Sequence, residues 1–338
     1  MRAVGYKQSL PVEDANSLLD ITVDDPVPGA SDILVKVKAV AVNPVDTKIR
    51  MRMAPESGHK IIGWDAVGEI ISIGDKVTGF EPGDRVWYAG DITRPGCNAQ
   101  FQAVDYRIAS KAPENLDDCQ AAALPLTSIT AWELLFDRLQ IDKPSPHKKR
   151  TLLIIGGAGG VGSILIQLAA QLTDVTVIAT ASRAESQQWV KALGADHVIN
   201  HYEDLAEQLE SIGTPPVTDV ACLTHSEQYF NQCMTLMAPQ GRFSLIDDPA
   251  ESIDITKMKQ KCISLHWEFM FTRSMFTTDD MIKQQELLTH IARMVEKGQI
   301  RSTLGKSFGE MNADNLRKAH KAIESHKTIG KIALTVAD

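Results

Sequence analysis

Six consecutive residues carry the clearest chemistry in the chain of 338 residues. Gly157-Ala158-Gly159-Gly160-Val161-Gly162 fits the pattern G-x-G-x-x-G. The first glycine permits a tight turn, the second lets the backbone approach a pyrophosphate, and the third lets a helix pack closely on a strand. An anion gains there from the free N–H groups and the positive dipole end of the helix that follows. The pattern alone is weak, and it gains force between an apolar strand and a helix. Leu152 to Ile155 precedes it, and the apolar stretch Val161 to Leu172 follows. The whole uncharged run from Thr151 to Leu172 has 22 residues, enough for a membrane helix. Five glycines among the seven residues 156–162 weaken such a helix at its middle. The expectation is a dinucleotide site held by Gly157, Gly159, Gly160, Val161 and Gly162.

The second strand of such a site decides which dinucleotide binds. An NAD site places Asp or Glu at the strand tip to accept from the ribose hydroxyls. Here the strand ends Ala179-Thr180-Ala181-Ser182-Arg183, without an acid. Ser182 and Arg183 can instead donate to a 2′-phosphate, Arg183 with a charge-assisted fork. This favours NADPH, the alternative being that Arg183 merely opens an exposed helix. His225 and Ile246 follow later strands, where ligands collect in open α/β sheets.

The elements that must position these residues come in two styles. Ile33 to Val42 and Ala66 to Ile73 read as strands, and Arg85-Val86-Trp87-Tyr88 begins another, with glycine-containing turns between them. From Cys119 to Leu139 the pattern is helical on both sides of Pro125. After a polar loop at 142–150, strand and helix alternate. Strands are expected at Leu152–Ile155, Val175–Ala179, His197–Asn200, Thr218–Leu223 and Arg242–Ile246, and helices at Val161–Leu172 and Ala184–Leu193. Such alternation implies a parallel sheet covered on both faces. Lys261 to Phe271 reads as an edge strand and Asp279 to Lys297 as a helix stopped by Gly298. Lys331 to Val336 is strand-like and must pack on an earlier domain. The fold expected is α/β, a β-rich domain over 1–125 completed by 300–338, and a doubly wound parallel-sheet domain over 126–299.

Composition excludes several classes. Hydrophobic residues make up 43%, too many for a disordered chain. The net charge of −8 argues against a nucleic-acid partner, because phosphate backbones demand basic surface. It is compatible with an anionic cofactor held by backbone N–H groups and one arginine. The five cysteines, Cys97, Cys119, Cys222, Cys233 and Cys262, form no C-x-x-C pair. A disulfide framework or cysteine-rich zinc site is not expected, and a reducing, cytoplasmic setting is. The first residues lack the apolar core of a secretory signal.

Further segments are similar to one family. Gly63-Trp64-Asp65-Ala66-Val67-Gly68-Glu69-Ile70 resembles a G-x-D/E-x-x-G-x-V segment, and Gly83-Asp84-Arg85-Val86 a G-D-R-V turn. Asn43-Pro44-Val45-Asp46, Leu193-Gly194-Ala195-Asp196 and Gly330-Lys331-Ile332 also match in the right order. Nearly the whole chain resembles the medium-chain dehydrogenase/reductase superfamily, in its zinc-free quinone oxidoreductase branch and the subgroup labelled zinc-type alcohol dehydrogenase-like. The resemblance implies a GroES-like catalytic domain around an inserted Rossmann domain, and a homodimer, formed near Lys261–Phe271. In zinc-dependent relatives the ligands are a cysteine where this chain has Asn43, a histidine where it has Trp64, and a cysteine near Leu126. Their hydroxyl relay falls on Val45. A catalytic zinc needs three protein ligands, so none is expected.

The reaction implied is hydride transfer from NADPH to a quinone or an α,β-unsaturated ketone. A zinc-dependent alcohol dehydrogenase and a non-catalytic NADPH-binding regulator are the alternatives. Asn43 either binds the nicotinamide ribose or substrate, or is a turn residue. Asp46 either joins that polar network or caps a helix, while Lys48 and Arg50 solvate that helix. Trp64 either walls the substrate pocket or packs in the core. Thr127 and Thr130 lie where the family contacts the nicotinamide end. Phe269 and Phe271 belong either near the nicotinamide or in the core. Lys331 either reaches the cofactor phosphates or is a surface lysine.

Overall fold

The computed structural model describes residues 1–337. Strand Thr151–Ile155 is apolar after its first residue and buried throughout, as a strand covered on both faces must be. It lies inside a six-stranded sheet ordered His197–Ile199, Thr176–Thr180, Thr151–Ile155, Val217–Cys222, Met237–Leu245 and Ser264–Trp267. Every neighbouring pair is parallel. The chain order reverses at Thr151–Ile155, so the carboxyl end of that strand is a topological switch point, where ligands bind in sheets of this kind. Leu153, Ile155, Val220, Phe243 and Leu245 form a core with Phe230 and Met234 of helix Ser226–Leu236. The Phe230 and Phe243 rings meet edge to face at 5.4 Å.

The apolar run read against a membrane span divides into strand Thr151–Ile155, a glycine turn and helix Gly160–Leu172. Among the described residues no helix is long and apolar enough to cross a membrane. The helical stretch around Pro125 is helix Asp118–Ala122, helix Pro125–Trp132 and a wider π-turn over Glu133–Arg138. Pro125 opens its helix, where its missing N–H costs nothing.

The other unit is β-rich. Strand Asp32–Val42 is its axis, pairing antiparallel with Ala66–Ile73 along one side. Along the other side it pairs with Phe101–Asp105 and with Lys331–Thr335. The tail therefore returns to the first strands, with Ile332 opposite Val42. Strand Leu304–Glu310 adds parallel to Lys331–Thr335, and Arg85–Tyr88 and Ala109–Lys111 extend the far edge. A separate three-stranded sheet joins Leu19–Thr22, Arg2–Tyr6 and Lys60–Ile61.

The chain divides into a unit over Thr130–Met270 and a unit made of Met1–Ile129 with the segment that starts at Phe271. The first is shorter than the 126–299 read from the sequence. Helix Lys283–Glu296 packs on strand Ala109–Lys111 and the turn Tyr106–Ile108 of the β-rich unit. The Gln285 amide donates to the Tyr106 carbonyl at 3.0 Å, and the Thr289 and Ser110 hydroxyls bond at 2.9 Å. The alternation of strand and helix does not reveal this change of partner.

Candidate active site

The glycine turn follows strand Thr151–Ile155 directly. The Gly156 N–H donates to Thr180 Oγ1 at 3.0 Å, and the Gly157 N–H to the Thr180 carbonyl at 3.2 Å. A Cβ on Gly157 would lie 2.9 Å from that of Ala179. A Cβ on Gly162 would lie 2.5 and 2.6 Å from the Gly157 and Gly156 carbonyl oxygens. Gly159 differs, because its Cβ would meet nothing nearer than 3.6 Å. Gly157 and Gly162 are thus required by the protein's own packing, whereas Gly159 leaves space for a ligand. No side chain caps helix Gly160–Leu172, whose first N–H groups have no intrahelical acceptor. Gly160, Val161 and Gly162 supply these groups beside the open space at Gly159. A cradle of this shape fits the pyrophosphate of a nicotinamide dinucleotide. Ser163 steadies it, donating to the Gly159 carbonyl at 2.7 Å and accepting from Trp189 Nε1 at 2.8 Å.

At the tip of the neighbouring strand, Ser182 is half-buried and Arg183 exposed. The Arg183 N–H donates to Ser186 Oγ at 3.1 Å, and Ser186 Oγ donates back to the Arg183 carbonyl at 2.8 Å. The backbone of Arg183 is fixed at a helix start, and the residue itself is exposed. His225 follows strand Val217–Cys222 in the left-handed region, φ 47°, uncommon for a residue with a side chain. Its Nδ1 meets Thr224 Oγ1 at 2.6 Å, and the next N–H, of Ser226, donates to Asp247 Oδ2 at 2.9 Å. Ile246 is half-buried directly after strand Met237–Leu245. Phe269 is 43% exposed, beyond the end of Ser264–Trp267, and Thr130 is buried in the same unit.

Sequence reasoning passed over a buried acid here. Glu268 Oε2 accepts from Arg138 Nε at 2.9 Å, with Glu133 beside it. Burial first, then Glu133, pushes Glu268 well above the carboxylate range, against the pull of Arg138. The signal was an acid inside each of two apolar stretches, 131–136 and 266–271.

The β-rich unit holds a closed polar cluster. Lys331 Nζ donates to Asp65 Oδ2 at 2.8 Å, to the Val42 carbonyl at 3.2 Å and to Asn43 Oδ1. Asn43 Nδ2 donates to Asp65 Oδ2 at 3.1 Å, and the Leu126 N–H to Asp65 Oδ1 at 3.0 Å. The Asn43 N–H donates to Asp46 Oδ2, so Asp46 caps helix Pro44–Arg52 from its third position. Asn43, Asp46, Asp65 and Lys331 are all at most 3% exposed. This corrects the expectation for Lys331. An ammonium has three N–H donors, and all three are committed within the cluster, so it is neither a phosphate ligand nor a surface lysine.

Trp64 is fully buried, its Nε1 donating to the Asp91 carbonyl at 3.1 Å and its ring edge-on to Phe271 at 6.2 Å. Phe271 is itself 2% exposed. Thr127 is buried too, its hydroxyl donating to the Leu124 carbonyl at 3.1 Å. The structure therefore brings Asn43, Asp46 and Lys331 together and leaves Trp64 and Thr127 in packed surroundings. Arg50 does not solvate its helix. It is fully buried and donates to the Leu10 carbonyl, Glu324 and His320 Nδ1. Burial, then Arg50, lowers the His320 pKa to about 3, which keeps the ring neutral.

Burial raises Asp65 against the pull of Lys331, and raises Asp46 to about 7 against the Asn43 N–H and Lys331. Folded Asp46 thus holds its proton more tightly than the unfolded chain does. Its contribution to stability is full below the ordinary carboxyl pKa and is lost as pH rises towards 7. Asp46→Asn fixes the neutral form. The variant's thermal midpoint is expected to match that of the wild type near pH 4 and to exceed it by a few degrees at pH 8. A difference independent of pH would contradict the shift.

Among the described residues no three His, Cys, Asp or Glu side chains group as they must to share a metal ion. The sulfur nearest the cluster, Cys97, is buried and donates to the Asp65 carbonyl at 3.6 Å. Burial pushes its thiol well above the ordinary range, away from the thiolate that binds metal.

Comparison with known proteins gives this architecture its class. The alcohol dehydrogenase GroES-like domain family matches residues 29–112, and the zinc-binding dehydrogenase family matches 193–334. A zinc-type alcohol dehydrogenase-like protein of Staphylococcus epidermidis is 39% identical over 337 residues, 99% of this chain and 100% of that protein. The chain belongs to the medium-chain dehydrogenase/reductase superfamily, and it is an oxidoreductase that uses a nicotinamide cofactor. A crystal structure from Rhizobium etli CFN 42, provisionally named a zinc-dependent alcohol dehydrogenase, is 50% identical, with a TM-score of 0.98 over 100% of this chain and 98% of that one. The quinone oxidoreductase of Coxiella burnetii is 26% identical, with a TM-score of 0.83 over 100% and 99%.

Proposed function

We propose that the protein transfers hydride from NADPH to a quinone or an α,β-unsaturated carbonyl without a catalytic zinc. The observation that carries the reading is the closed cluster of Asn43, Asp65 and Lys331, in which an ammonium already neutralises the carboxylate. Oxidation of a simple alcohol needs a group to hold and deprotonate the alkoxide, which a Lewis acid does in metal enzymes. An activated acceptor makes a smaller demand. Hydride adds to it readily, and hydrogen bonds carry the developing oxyanion until water protonates it.

The cofactor supplies the hydride when bound. The protein binds and orients it, with Gly157, Gly159, Gly160, Val161 and Gly162 at the pyrophosphate and Ser182 with Arg183 at the 2′-phosphate. His225, Ile246, Phe269 and Thr130 line the way to the nicotinamide. Asn43, Asp46, Trp64, Thr127, Phe271 and Lys331 act as positioning residues, holding the substrate-side backbone from within. The exposed edge strand Ser264–Trp267, with Trp267 50% exposed, supports a homodimer. The five cysteines without a C-x-x-C pair support a cytoplasmic enzyme, and the acidic charge weighs against nucleic acid.

Elemental analysis of the purified protein together with a quinone and enone panel, run with NADPH, tests this reading. Turnover that survives chelation, with zinc well below one per chain, is expected. One zinc per chain and loss of activity on chelation would establish the zinc alcohol dehydrogenase suggested by the names of relatives. Tight NADPH binding with no turnover would point to a regulator.

A further inference from the structure

The three oxygens around Lys331 Nζ come from different places in the fold. Val42 ends the axial strand, Asn43 leads into helix Pro44–Arg52, and Asp65 precedes strand Ala66–Ile73. Lys331 enters from the C-terminal strand, whose next residue, Ile332, lies opposite Val42. The oxygens therefore converge on one point, and the cation that meets them there is tethered to the chain. The spacing has a size. Asp65 Oδ2 and the Val42 oxygen lie 2.8 and 3.2 Å from the nitrogen. Oxygen ligands stand about 2.0–2.2 Å from zinc, about 2.0–2.1 Å from magnesium and about 2.3–2.6 Å from calcium. A divalent ion at the same centre would leave these two oxygens out of reach, with only Asn43 Oδ1 closer, whereas N–H···O bonds fill the gap.

The charge count agrees. Asp65 Oδ1 is taken by the Leu126 N–H and Asp46 Oδ2 by the Asn43 N–H. What remains facing the ammonium is one carboxylate oxygen, which Asn43 Nδ2 also reaches, one amide oxygen and one carbonyl, a set that suits a single positive charge with three hydrogens to donate.

We infer that Asn43 Oδ1, Asp65 Oδ2 and the Val42 carbonyl form a cage for a primary ammonium, filled by the chain's own Lys331, and that this tethered cation excludes divalent metal from the cluster. The inference rests on the metal-free half of the proposed function. Its test reads stability without cofactor or substrate, so a failed quinone assay leaves it standing.

Lys331→Ala removes three carbons and the ammonium, the atoms that n-propylammonium supplies. The variant is expected to melt about 10 °C below the wild type, because a buried carboxylate is left unpaired. n-Propylammonium chloride is expected to restore part of that loss and to leave the wild type unchanged. Tetramethylammonium chloride at the same concentration, with the charge but no N–H, should restore none. Equal effects of the two salts, or a larger rise with zinc chloride, overturn the inference. Lys331→Met keeps the volume without the charge. It is expected to melt low as well and to ignore n-propylammonium, since its space is filled. A Lys331→Met protein as stable as the wild type at pH 8 overturns the need for a cation. If Lys331→Ala does not fold, Asp65→Asn combined with Lys331→Met decides: recovery of the midpoint above that of Lys331→Met is expected, and failure to recover overturns the pairing.

Discussion

Gly162→Ala is expected to lower NADPH affinity at least ~100-fold, measured by titrating the cofactor's fluorescence. The added Cβ would stand 2.5 Å from the Gly157 carbonyl oxygen and 2.6 Å from that of Gly156. Both obstacles are backbone, so neither can swing aside. The helix start must move away from the turn, and overpacking of this kind costs about 1–3 kcal/mol or more. The N–H groups that meet the pyrophosphate move with it, which compounds the loss by about a factor of ten per 1.4 kcal/mol. Gly159→Ala is the matched control. Its Cβ has no neighbour within 3.6 Å, so the protein should melt at the wild-type temperature. Affinity should nevertheless fall, because the methyl group occupies the approach to the cradle. Wild-type affinity in Gly159→Ala would remove the ligand from this turn, whatever Gly162→Ala does.

Arg183→Ala is expected to weaken NADPH by about 10- to 100-fold and NADH by little. A hydrogen bond to a charged group is worth about 1.5–3 kcal/mol, and only the 2′-phosphate offers one here. Because Arg183 is exposed, salt should shrink the difference. Titrations of both cofactors at low and high ionic strength check this. Equal losses for the two would mean that Arg183 does not read the 2′ position.

Local pattern carried most of the nucleotide-binding unit into view. The glycine turn follows its strand directly, and the strand tip at Ser182-Arg183 lies only one helix and one strand further on; features this close in sequence are legible. The β-rich unit was harder to read. Arg2–Tyr6 and Leu19–Thr22 are short strands in polar surroundings, and strand Leu304–Glu310 contains two glycines and is largely exposed. Leu19–Thr22 alternates, but over only four residues, and neither of the other two shows the alternation of a half-buried strand. The buried cluster was legible residue by residue but not as a cluster. For Asn43 and for Lys331 the residue type leaves a ligand role and a plain structural one equally open, and the two bond to one another across 288 positions of sequence. Periodicity reports which face a residue takes, not what meets it there. Arg50 shows the same limit: its type suggested solvent, and only the arrival of Glu324 and His320 explains its burial.

The strand at Lys331–Thr335 also sets a timetable. Val42 and Lys331 are separated by 289 residues. At a synthesis rate of about 5–20 residues per second, roughly 15–60 s pass between the appearance of the two. During that interval the nucleotide-binding unit, whose strands are contiguous in the chain, can complete itself. The first-made unit cannot, since its axial strand lacks a partner along Ala39–Val42 on one side and Asp65 has no counter-charge. A nascent chain held at that stage presents an incomplete sheet to the cell, and it is the strand at Lys331–Thr335 that completes it.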